Sequence, residues 1–61
     1  MNEAQQTLID TIKATHKVIA VATLFSTHVV ITLQEQGAIF HVTPIAENIT
    51  VMGEWDYFFQ V

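Results

Sequence analysis

No cysteine and no arginine occur in this chain, and it holds only one proline and two glycines. The missing cysteine excludes disulfides and every thiolate metal site. The missing arginine removes the planar fork that reads base edges. Lys13 and Lys17 are the only other basic side chains besides three histidines. Two lysines neutralise too few phosphates to hold a nucleic acid, so direct DNA or RNA binding is not expected. Gly37 and Gly53 stand far apart and form no phosphate-cradling loop. The opening MNEAQQTLIDTIK is polar and its first charge is acidic. It lacks the basic start and apolar run of a secretory leader, which predicts a cytoplasmic protein.

Charge of either sign is scarce, at 13% of residues, where ordinary soluble domains carry about 25%. Hydrophobic residues make up 51% of the 61. A chain this short forms one domain and buries only about 60% of the surface its unfolded form exposes. Its apolar supply therefore exceeds what one small core can hide, and a contiguous apolar remainder on a surface marks an interface. With no disulfide or thiolate metal as a staple, association with itself or with another protein is the remaining common route to stability. The net charge of −4 favours a partner with a basic surface. The same charge also serves to keep an apolar chain in solution.

The first element is predicted as a helix over 2–16. Asn2 can cap it, with Gln5 three residues on as the other half of a capping box. Ala4, Leu8, Ile12 and His16, with Ile9 beside them, form one apolar stripe. Glu3 near the start and Lys13 and Lys17 near the end suit the helix dipole.

From Lys17 the period changes. VIAVATLF is rich in β-branched residues and apolar on both parities. That predicts a strand over 17–24 covered on both faces, hence a central strand. A continuing helix is the rival, since 18–34 holds no charged residue. This stretch falls short of the roughly 20 residues that span a bilayer and has Ser26, Thr27 and His28 at its middle, so two strands fit it better than a membrane helix.

HVVITLQEQGAIFHVTP then reads as a hairpin of strands 28–34 and 38–43 around Gly37. A four-residue loop sets Leu33 opposite Ala38, Ile31 opposite Phe40 and Val29 opposite Val42, gathering the apolar residues on one face. Pro44 ends the second strand, because it has no N–H to donate.

Beyond PIAEN, the residues Ile49, Val51, Gly53, Trp55, Tyr57, Phe59 and Val61 share one parity. This predicts strands over 48–52 and 54–61, either as one strand kinked at Gly53 or as a hairpin through it. The aromatics of that parity form a core face. Phe58 falls on the other side with Glu54, Asp56 and Gln60. The fold expected is α+β, one N-terminal helix packed on a small antiparallel sheet of three to five strands. The last strand is expected at an edge or paired across a dimer.

Reactive chemistry is sparse. In the expected hairpin His28 and His41 are diagonal neighbours on one face, with His16 as a conceivable third ligand, but no H-x-x-x-H spacing supports zinc. Glu54 and Asp56 lie two apart with no evident pocket, and Ser26 with His28 lacks an orienting group. No enzyme, metal or cofactor is expected. The function predicted is a small acidic interaction module, an inhibitor or adaptor of the phage or accessory type, that occludes a basic surface of a larger complex. Phe58, Glu54, Asp56 and Glu47 are its predicted contact residues. The alternative is a self-assembling structural homo-oligomer. Behind these stand a His-based metal or small-ligand binder, which lacks a metal-ligand spacing, and a single-span membrane protein, for which 18–34 is short and polar at its middle.

Overall fold

The computed structural model describes all residues from Met1 to Val61. A helix, α1 (Glu3–Thr15), precedes four strands, β1 (Ala20–Leu24), β2 (His28–Leu33), β3 (Ala46–Ile49) and β4 (Trp55–Gln60). The sheet is antiparallel throughout, in the order β1-β2-β4-β3. This is the expected α+β arrangement with four strands.

The helix starts where its capping chemistry dictates. Asn2 accepts a hydrogen bond from the Gln5 backbone N–H at 2.8 Å, while the Gln5 side chain accepts from the Asn2 N–H at 3.1 Å. This reciprocal pair satisfies two of the four orphan donors at the helix start. The buried face holds Gln5, Leu8, Ile9 and Ile12. Ala4, placed on the stripe by spacing, is exposed. The buried polar residue takes its turn of the helix instead, because it has partners waiting. Gln5 Nε2 donates to the carbonyls of Phe25 at 3.2 Å and His28 at 3.1 Å. Asn2 Nδ2 adds a bond to the Ser26 carbonyl at 2.7 Å. The helix start is thereby fastened to the β1–β2 turn.

The segment 18–34 is this hairpin, not a helix, and no helix of the molecule is long and apolar enough to cross a membrane. The two strands are joined by a turn over 25–27 in which Phe25 adopts a left-handed backbone with φ +58. β1 is an edge strand, not the central strand its composition predicts.

The second expected hairpin does not form. Residues 38–43 belong to no strand, and β2 pairs with β4 in their place. Val29 lies opposite Phe59, Ile31 opposite Tyr57 and Leu33 opposite Trp55. Each pair joins an aliphatic residue to an aromatic one, which buries more than Val42, Phe40 and Ala38 would in those places. The alternation expected over 38–43 holds without the ladder only as far as His41, since Val42 is exposed. Ala38 and Phe40 are half-buried against the core, while Ile39 and His41 are exposed. Phe40 meets Tyr57 and Phe59 edge-on, with ring centroids 5.0 and 5.2 Å away. The Tyr57 hydroxyl donates to the Glu35 carbonyl and accepts from the Ala38 N–H at 3.2 Å. The crossing segment is thus tied down by side chains.

β3 and β4 form a hairpin through 50–54, so the chain folds back at Gly53 and does not run straight. Gly53 takes φ +79, where a side chain would strain the backbone. Thr50 closes the loop through its N–H to the Glu54 carbonyl at 2.8 Å. β4 lies between β2 and β3, which overturns the expectation that it forms an edge.

Candidate functional site

One face of the sheet is covered and the other is open. Val29, Ile31 and Leu33 from β2 and Tyr57 and Phe59 from β4 are buried with Leu8, Ile9 and Ile12 of α1. Trp55 packs against this core and is half-buried. The alternate residues of every strand therefore point away from the helix.

Register assembles these outward residues into rows. Ala22 of β1 lies opposite Val30 of β2, Val30 opposite Phe58 of β4, and Phe58 opposite Ala46 of β3. The middle of the open face is thus an unbroken apolar row across all four strands. On one side runs Ala20, Thr32, Asp56 and Asn48, and on the other Leu24, His28 and Gln60. The Thr32 hydroxyl donates to an Asp56 carboxylate oxygen at 2.6 Å. That bond leaves the second oxygen of Asp56 free to accept from outside.

Of the four predicted contact residues, two come together here. Phe58 occupies the centre of the row and Asp56 the next one, both half-buried. Glu54 precedes β4 and lines an open cleft of about 290 Å³ with Lys17, Ile19, Gln34 and Glu35. Glu47 does not join them. It lies opposite Tyr57, so it projects on the helix side of the sheet from the outer strand. Val30, Ala22 and Ala46 were not singled out by sequence. The parity of Val30 on β2 was visible, but its union with Phe58 depends on β4 lying beside β2.

The histidines stay apart. His28 and His41 cannot be diagonal neighbours, because 38–43 does not pair with β2. The His28 ring nitrogen Nδ1 is within 2.8 Å of the Thr27 hydroxyl. The His16 ring lies 5.0 Å from that of Phe40 and bonds to the Thr15 hydroxyl. No three His, Cys, Asp or Glu side chains are grouped to hold a metal ion. Ser26 uses its carbonyl to receive Asn2 and lies in the 25–27 turn.

Compared with known protein families, with curated proteins and with solved structures, the chain matches none. The open face of the sheet is the candidate site.

Proposed function

We propose that the protein is a non-enzymatic interaction module that acts as an inhibitor or adaptor by laying the open face of its sheet on a basic surface of a larger protein. The observation that supports this reading is the apolar row Ala22, Val30, Phe58 and Ala46 on the face away from the helix, with the two alanines exposed and Val30 and Phe58 half-buried. Rows of this kind supply the desolvated centre of an interface, with an aromatic residue as anchor. Asp56 beside the row, and Glu54 at the end of the same strand, complement Lys and Arg on the partner. Occlusion needs no chemistry beyond this.

Native mass spectrometry of the protein captured from its host's lysate tests the reading. A stoichiometric complex is expected for the parent chain. It should be lost with Val30→Lys and weakened at least about 30-fold by Phe58→Ala, as a central anchor requires. Reversing charge at Glu54 and Asp56 together should weaken binding and flatten its salt dependence. A complex that survives both open-face variants, with folding verified by circular dichroism, would move the interface elsewhere.

A further inference from the structure

β1 combines the sequence of a central strand with the position of an edge. Its residues Ala20–Leu24 are uncharged and apolar or β-branched on both faces, yet they have a hydrogen-bonded neighbour on one side only. Natural edges are guarded by charge, proline, bulges or covering elements. The opposite edge shows such guards: β3 is only four residues long, carries Glu47 and follows closely on Pro44. Apolar side chains are exposed at both edges, with Ile45 at 59% and Ile49 at 60% on the β3 side, but β1 alone has neither a charge nor a proline among them. Ile19 is 42% exposed, Leu24 47% and Phe25 92%. Phe25 is held with its side chain outward by a left-handed backbone that an aromatic residue adopts only at a cost. Gln5 and Asn2 hold the backbone of this turn through the Phe25 and Ser26 carbonyls, but the Phe25 ring itself has no burial within the single chain.

We infer that β1 pairs antiparallel with β1 of a second copy, about a two-fold axis through Ala22, to make one eight-stranded sheet. The strand is self-complementary in that register. Ala22 meets the second copy's Ala22, Val21 meets its Thr23, and Ala20 meets its Leu24. The small residue at the axis lets the two backbones close without a side-chain clash, and the exposed Ile19 comes up to the exposed Phe25 of the other copy.

The distribution of charge leaves this edge open to a second copy. The chain carries −4, so two copies repel over most of their surfaces. Every carboxylate and both lysines lie outside 18–34. The β1–β2 hairpin is therefore where two acidic copies approach with no like charges opposed. Pairing there makes β1 central, as its composition predicts. It also keeps both helices on one side, since an antiparallel partner preserves the faces. The apolar row of the open face then continues through the axis from Phe58 of one copy to Phe58 of the other. This interface is the strand edge and does not rest on the proposed function of the open face, so either can fail alone.

Sedimentation velocity over a hundredfold range of protein concentration is the test. The parent chain should form a species of twice its 6.9 kDa mass. Ala22 is exposed, so Ala22→Lys should leave the fold intact while placing two like charges at the axis and weakening dimerisation about tenfold or more. Mixing Ala22→Lys with Ala22→Glu should restore a mixed dimer, which a merely misfolded variant could not do. Because the chain has no cysteine of its own, Ala22→Cys should cross-link to itself on mild oxidation. Directly opposed residues in an antiparallel pair stand within disulfide reach. Asn48→Cys, on the other edge, should remain uncross-linked. A protein monomeric across the whole range overturns the inference. So does a dimer that ignores Ala22→Lys, or one broken instead by Asn48→Lys.

Discussion

Gln5 shows how a single side chain can join two elements that share no backbone bonds. It is fully buried, yet its amide is engaged on both ends, donating to the Phe25 and His28 carbonyls and accepting from Asn2. Removing it leaves those groups without partners and opens a gap beneath the helix. Gln5→Ala should therefore lower stability by about 2–3 kcal/mol in urea denaturation. Gln6→Ala, one position along on the exposed side, should stay within about 0.5 kcal/mol. Equal effects would show that the clamp does not tie helix to hairpin. Half of Gln5's role was legible from sequence, since the Asn2–Gln5 spacing spells a capping box. The other half was hidden, because nothing local says that carbonyls 20 and 23 residues away arrive at its amide nitrogen.

The helix was legible as an element and the pairing of strands was not. A capped, amphipathic segment is specified by neighbours three and four residues apart, so α1 falls within one residue of its expected bounds at either end. Strands only declare which residues share a face. The alternation in 28–34 points Val29, Ile31 and Leu33 inward, and all three are buried; Tyr57 and Phe59 follow the same rule in β4. Which strand lies beside which is a competition between distant segments, and 38–43 lost it to β4 because aromatic residues bury more. That outcome is measurable. Phe40 remains a core residue without being in the sheet, so Phe40→Ala should cost about 2–3 kcal/mol. Val42, which the local hairpin would bury against Val29, is exposed, and Val42→Ala should change stability by no more than about 0.5 kcal/mol. A large loss at Val42 would favour the local hairpin.

Considered as one body, the chain encloses a core of eight hydrophobic residues and leaves apolar side chains at its margins. Some of these, such as Val51 and Met52 in the β3–β4 turn, are single residues on a loop and call for no partner. The rest lies along the β1 edge, the open-face row and the β3 edge, where Ile45 and Ile49 are exposed. If β1 pairs between copies, unfolding is coupled to dissociation. Where the dimer dominates, the apparent stability should then rise by about 1.4 kcal/mol per mole of dimer, or about 0.7 kcal/mol per chain, for each tenfold increase in protein concentration. In Ala22→Lys the urea midpoint should begin to rise only at concentrations about tenfold or more higher than in the parent. A parent midpoint that does not move would mean that the apolar edge is left open in solution.

What could be read from the residues alone was the helix and its cap, the mixed class of the fold, the inward parity of the core strands and the surplus of apolar surface. All of these depend on spacing within one segment or on composition. The strand order β1-β2-β4-β3, the separation of Glu47 from Phe58 and the dispersal of the histidines were settled by folding. So was the union of Ala22, Val30, Phe58 and Ala46 into one row. Each of these joins segments far apart in the chain. Burial of the largest side chains selects among such pairings, and that selection is a property of the whole packed molecule.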